Sequence, residues 1–324
     1  MAKNKKHYLP FEKPLRDLES KMEDLKKAAE QGNVNIGQEI NSMNERLDTL
    51  RKEIYEELTP LHIIQLARHP GRPTTLELIG AMATDVIEMH GDRCFGDDPA
   101  IVGGISTIDN EPIVFIGHQK GMNTKENIYR NFGSANPEGY RKALRIMKFA
   151  EKFNRPIVTF IDTQGAYPGI GAEERGQAEA IARNLREMAE LNVPVICIVT
   201  GEGGSGGALG IGVGNIVLML EYGFYSVISP EGCASILYRD ASRMNEAAEN
   251  LRITAKDLLE MKVIDEIIEE PAGGAHNDIP QAAENIKKTV LKHLKNLKKL
   301  SPQDLVQDRY KKFRNMGFYT EEKS

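Results

Sequence analysis

Two unbroken apolar stretches, Ile157-Val158-Thr159-Phe160-Ile161 and Val195-Ile196-Cys197-Ile198-Val199, restrict the fold more than any other feature, because each follows a proline and runs directly into a glycine-rich turn. A strand with one wet face alternates apolar and polar residues, whereas a run without alternation is buried on both faces. Helices must then cover both faces of the sheet, and helical periodicity over residues 137–153 and 171–191 falls between the strands. Further strand-like runs at 100–108, 112–118, 216–220, 225–228 and 263–268 extend the pattern, and a Lys-rich helix with a solvated basic face closes it near residue 300. The core is read as α/β.

Ahead of this core the period changes. Leu18, Met22, Leu25 and Ala29, then Ile36, Ile40, Met43, Leu47, Leu50, Ile54 and Leu58, keep an alternating three-four spacing on two segments split by Gln31-Gly32-Asn33. A short polar break between two amphipathic helices predicts an antiparallel hairpin. Thr59-Pro60 supplies an N-cap with proline at the first helical position, and Thr74 with Glu77 a capping box, so short helices lead into the core. The expected organisation is a helical arm over 1–58, a main domain over 59–300 and a C-terminal tail over 301–324.

With 42 basic and 47 acidic residues the formal charge is −5, so no global field draws the chain onto nucleic acid or an anionic membrane. Cys94, Cys197 and Cys233 stand far apart with no CxxC pair, which predicts neither a zinc cluster nor a disulfide framework. The basic start is followed by charged helix rather than an apolar export segment, and no apolar run reaches the ~18 residues of a membrane span. A cytoplasmic protein is expected.

The chemistry is sought where the two buried strands end, in Asp162-Thr163-Gln164-Gly165-Ala166-Tyr167-Pro168-Gly169 and Gly201-Glu202-Gly203-Gly204-Ser205-Gly206-Gly207. Glycine lets a ligand approach the main chain, and a helix opening after such a turn presents free N–H groups to an anionic oxygen. Glycines also serve plain tight turns; two such loops in succession favour a site. The second loop fits GxGxxG with Glu221 some 20 residues on, yet the following segment is too short and glycine-broken for a dinucleotide-binding crossover helix. Ser205 as a nucleophile would need a nearby base, and the histidines that follow it, His276 and His293, lie beyond the core.

Gly165 to Gly169 with Gly171-Ala172-Glu173-Glu174-Arg175-Gly176-Gln177, the run from Gly201 to Gly207, and Ser226-Val227-Ile228-Ser229-Pro230-Glu231-Gly232 closely resemble the alpha-subunit family of acetyl-CoA carboxylase carboxyltransferases. Gly117-His118-Gln119-Lys120-Gly121, Arg130-Asn131-Phe132-Gly133 and Pro137-Glu138-Gly139-Tyr140-Arg141 belong to the same resemblance, which spans nearly the whole chain. Gln164 stands where family members often carry proline, and Thr74 and Cys94 also depart from the pattern.

The resemblance implies a crotonase-like (ClpP/crotonase) β-β-α spiral with an N-terminal hairpin arm and C-terminal helices. It implies transfer of a carboxyl group from carboxybiotin on a biotin carboxyl carrier protein to acetyl-CoA, giving malonyl-CoA for fatty acid biosynthesis. Acetyl-CoA would sit mainly on a zinc-bearing beta subunit in an alpha2-beta2 assembly, and ATP would be used in the separate biotin carboxylase step; no P-loop occurs here. Carried onto this chain, the amides of Gly206 and Gly207 would form the oxyanion hole for the biotin ureido oxygen. Gly165, Ala166, Tyr167, Gly204 and Ser205 would line the carboxybiotin pocket, with no metal in this chain. The alternatives are a self-sufficient crotonase-type hydratase or isomerase, using Glu173, Glu174 or Glu202 as base, and a non-enzymatic scaffold recruiting partners through its arm.

Overall fold

The computed structural model describes residues 7–32 and 36–317. Helices α1 (Lys13–Gly32) and α2 (Gly37–Glu56) form the arm, and an ion pair from Arg51 near the end of α2 to Glu19 near the start of α1 shows them antiparallel. Asn33, in the expected turn between them, lies outside the described residues. The arm is fastened at its base, where the Tyr55 hydroxyl shares its one proton between Glu12 (2.7 Å) and the carbonyl of Gly273 (3.0 Å).

The capping signals act as read. Thr59 Oγ1 accepts from the His62 amide and opens α3 (Pro60–Ala67), and the Thr74 amide donates to Glu77 Oε2 at 2.9 Å to open α4 (Thr75–Met82). Next come β1 (Thr84–Glu88), β2 (Ile101–Ile108), β3 (Glu111–His118), α5 (Thr124–Tyr129), α6 (Pro137–Lys152), β4 (Ile157–Thr163), α7 (Ile170–Glu174) and α8 (Gln177–Glu190). The rest is β5 (Val195–Gly204), α9 (Ser205–Leu209), β6 (Ile216–Leu220), β7 (Phe224–Ser226), α10 (Pro230–Tyr238), α11 (Met244–Leu251), α12 (Ala255–Glu260), β8 (Glu266–Ile268), α13 (Ile279–Leu297) and α14 (Pro302–Arg314).

The strands form one sheet in the order β1-β2-β3-β4-β5-β6-β8, with β7 pairing the far end of β5. β1, β2 and β3 are antiparallel; every later pairing is parallel. The unbroken apolar runs split by side-chain parity. Ile157, Ile161, Val195, Cys197 and Val199 face α6 and α8, whose Ala143, Ile146, Met147, Ala180 and Met188 complete that core. Val158, Phe160, Ile196 and Ile198 face the other way, onto Leu78 and Ile79 of α4 and Ala283, Ile286, Val290 and Leu294 of α13. Both faces are covered, as period two inside a doubly buried sheet requires.

Residues 302–314, expected within a tail, instead form α14, whose Leu305 and Arg309 are buried. The reason is polar. The Arg309 guanidinium donates to the carbonyls of Met188 (2.7 Å), Leu191 (3.0 Å) and Val193 (3.1 Å) and to Asn215 Oδ1 (2.7 Å), satisfying the open C-terminal end of α8. Burial lowers its pKa to about 10, which leaves it charged at neutral pH. Among the described residues no helix is long and apolar enough to cross a membrane.

Candidate active site

The parallel strands β4 and β5 deliver the two glycine loops side by side, with Thr163 registered against Gly203. Contact between the loops is main chain on main chain. A Cβ built on Gly204 would stand 2.2 Å from the carbonyl oxygen of Gln164, and one on Gly207 would stand 2.5 Å from the amide nitrogen of Ala166. Glycine at 204 and 207 is therefore a matter of close approach. Gly165 has φ 152° and is fixed by Thr163, whose Oγ1 accepts the Gly165 amide (3.1 Å) and donates to its carbonyl (2.8 Å).

After Gly204 the chain turns through Ser205 at φ 52°, an unfavourable conformation for a residue with a Cβ, and enters the five-residue helix α9. The first amides of a helix have no partner within it. Gly206 and Gly207 are the second and third residues of α9, so neither N–H has an i−4 partner within the helix, and Gly204 before them has no side chain to cap them. Gly206 is half-buried, Gly207 is buried and Ser205 is exposed. A Cβ on Gly206 would meet only Ile181, at 3.9 Å. The loops thus set two first-turn helix donors, with open room at Gly206, beside a locked first loop, an arrangement that fits a ligand oxygen on which negative charge develops, as a urea oxygen would supply.

Beneath this surface lies His118, at the end of β3, wholly buried and with neither ring nitrogen in hydrogen-bonding geometry among the described residues. Burial drives its pKa down to about 4, although Asp162 and the main chain of Gly207 and Phe160 favour the proton. It packs as a neutral ring under the second loop. Among the described residues no hydrogen bond joins it to Ser205 as a nucleophile-base pair would require.

A cavity of about 760 Å³ opens beside the first loop. Gly165 and Ala166 line it together with Arg68, Lys120, Asp162 and Glu202, whereas Tyr167, Gly204, Ser205, Gly206 and Gly207 do not. The predicted pocket residues are thus neighbours that divide between a cavity wall and the adjoining loop surface. Lys120 Nζ sits 2.6 Å from Asp162 Oδ1, which also accepts the Glu202 amide at 2.9 Å. Arg68 grips Glu202 through two nitrogens (2.6 and 3.1 Å) and Glu231 through a third (2.7 Å). Burial alone would lower the Arg68 pKa, but the bonds and charges of Glu202 and Glu231 outweigh it and hold the value above its ordinary one. Deeper in, Arg72 and Glu270 form a buried bidentate pair (2.6 and 3.0 Å), and Glu270 also accepts from the amides of Tyr222 and Ala275.

These ion pairs escaped the sequence reading, since Arg68 and Glu202 lie 134 residues apart and no local spacing announces them. Only the Gly117-His118-Gln119-Lys120-Gly121 run hinted at Lys120. Glu202, a candidate base for the hydratase alternative, is committed to Arg68; Glu173 and Glu174 are exposed on α7 and do not line the cavity. The dinucleotide reading fails too. The helix between β5 and β6, α9, is five residues long, and Glu221 Oε2 accepts the Glu270 amide at 3.3 Å.

The family model described as acetyl co-enzyme A carboxylase carboxyltransferase-like matches residues 8–317. Acetyl-coenzyme A carboxylase carboxyl transferase subunit alpha of Geobacter metallireducens is 56% identical over 315 residues, covering 97% of this chain and 99% of that one. The same subunit of Geobacillus sp. (strain WCH70) is 59% identical over 309 residues, 95% of each chain, and that of Thermus thermophilus is 55% identical over 313 residues, 97% of this chain and 99% of the other. Among solved structures, a Pseudomonas malonate decarboxylase hetero-dimer superposes with TM-score 0.59 at 14% identity, covering 76% of this chain and 96% of that one. Transcarboxylase 12S gives TM-score 0.53 at 19% identity over 69% of this chain, which spans 44% of that longer chain. The crotonase-type carboxyltransferase fold expected from the sequence is the fold observed.

Proposed function

This chain belongs to the acetyl-CoA carboxylase carboxyltransferase alpha-subunit family, and from that premise we propose that its two glycine loops form the biotin-facing half of a carboxyltransferase site completed by a beta subunit. The observation that carries the reading is the pair of amides at Gly206 and Gly207 in the uncapped first turn of α9, set against a first loop too close to admit a side chain. Carboxybiotin, on its carrier protein, supplies the carboxyl group that reaches acetyl-CoA.

The chain's own residues hold and polarise. The N–H groups of Gly206 and Gly207 donate to the urea oxygen, where negative charge grows as the carboxyl group leaves; one such donor is typically worth ~10²–10³ in rate. Gly165, Ala166 and Tyr167 form the facing wall, with Gly204 and Ser205 at its base. Preorganisation comes from the sheet, since both loops are fixed by strands buried on both faces. The Lys120–Asp162 and Arg68–Glu202 pairs brace the cavity side of the loops, and no side-chain base of this chain is required. Zinc and the acyl-CoA site are assigned to the beta subunit, ATP consumption to the separate biotin carboxylase, and assembly in an alpha2-beta2 form to the arm together with the main domain.

Reconstitution tests this. Mixed with a cognate beta subunit and biotinylated carrier, the chain is expected to support biotin-dependent malonyl-CoA turnover, and alone to show none. Hydration of an enoyl-CoA by the purified chain would favour the hydratase alternative instead.

A further inference from the structure

Helix α8 lines no part of the cavity, yet it sends two buried amide side chains into the framework of the loops. Gln177 Nε2 donates to the carbonyl of Tyr167 in the first loop (2.9 Å) and to that of Ala135 (2.8 Å). Asn184 Nδ2 donates to the carbonyl of Gly210, just past α9 (2.9 Å), and to that of Tyr140 on α6 (3.0 Å). The two residues make the same device: one NH₂ group bridges a glycine loop to α6 or the segment entering it. Seven positions apart, they share one face of the helix about 10 Å from each other. The Tyr167 amide closes the first clamp by donating to Ala135 as well (2.9 Å).

Their carbonyl oxygens report what these side chains are for. Gln177 Oε1 and Asn184 Oδ1 are both buried without a partner among the described residues. Turning either amide over would set that oxygen against two carbonyls, so the orientation is forced by the donors. An apolar side chain of like volume would fill each place without stranding an oxygen. Holding those particular carbonyls is what the amides add.

We propose that Gln177 and Asn184 are positioning residues, and that α8 is the spacer setting the separation of the two glycine loops and the aim of the Gly206 and Gly207 amides. This rests on the reading that those amides face the urea oxygen. Gln177→Met and Asn184→Leu remove the donor and keep the bulk. In the complex with the beta subunit, each is expected to lower kcat about 10- to 100-fold, the scale of an ~1 Å misplacement, with KM for acetyl-CoA within about twofold. Amide hydrogen exchange is expected to quicken over residues 164–169 and 205–210 but not over 157–161 or 195–199.

Unchanged exchange in the loops would overturn the inference and leave the site reading standing. Faster exchange with full kcat would overturn the positioning role. An equal loss of kcat in Arg309→Lys, which loosens the far end of α8 where no glycine loop is held, would reduce the effect to general stability and overturn it too. If the apolar variants do not fold, the near-isosteric Gln177→Glu and Asn184→Asp carry the same expectations. Failure of the underlying reading shows separately, as full activity in Gly207→Ala.

Discussion

A single methyl group at position 207 separates the proposed site from a mere tight turn. The Cβ of an alanine there would lie 2.5 Å from the amide nitrogen of Ala166, 2.6 Å from the carbonyl carbon of Gly165 and 2.9 Å from its Cα, where ordinary contact begins at 3.4 Å. All three neighbours are main chain, and Thr163 ties Gly165 from both sides, so relief requires one loop to move by about 1 Å. A displacement of that size costs roughly 10²-fold in kcat, and the overpacking about 1–3 kcal/mol of stability. Gly80→Ala on α4 is the internal control: its Cβ would meet nothing within 4 Å, Gly80 has no positive φ, and it lies outside the cavity lining and both glycine loops. Malonyl-CoA turnover in the reconstituted complex, with thermal unfolding of each variant alongside, is expected to show Gly207→Ala down about 100-fold and Gly80→Ala within about twofold. Parent-like turnover in Gly207→Ala would refute the claim that these two loops form the reacting site.

Acid sensitivity should trace in part to His118: its folded pKa of about 4 lies below the 6.5 of an unfolded histidine. The unfolded chain therefore binds the extra proton first, and stability falls as pH drops from 6.5 through 4, by roughly 3 kcal/mol from this group; His118→Phe, measured by denaturant unfolding across that range, is expected to show a shallower decline. Arg72→Leu strands Glu270, whose side chain is fully buried, and is expected to lower stability by about 3–5 kcal/mol. Replacing Arg72 and Glu270 together by Leu and Met should cost less than Arg72→Leu alone, a comparison that equilibrium unfolding of the three proteins decides.

The parts of this molecule written in short-range pattern were the ones legible in its sequence. The runs at 157–161 and 195–199 announced buried strands because no polar residue interrupts them, and their glycine turns marked where the sheet would present main chain. Thr59 and Thr74 announced helix starts because a cap acts over three residues. β1 gave no signal: four of its five residues are exposed, so neither parity nor burial marks it. α14 escaped because its anchor, Arg309, is satisfied by carbonyls more than 100 residues earlier in the chain. The same holds at the site, where Gly206 and Gly207 could be named from their loop, while Arg68, and the pairing of Lys120 with Asp162, came from topology alone. The clamp by Gln177 and Asn184 was equally hidden, since an amide on a helix gives no hint of which carbonyl it will meet.

The most direct test is a high-resolution structure of the alpha–beta complex with biotin bound. The urea oxygen is expected 2.7–3.1 Å from the amide nitrogens of Gly206 and Gly207, the range of an oxyanion-hole bond. An oxygen held elsewhere, or those two amides closed onto carbonyls of their own chain, would contradict it.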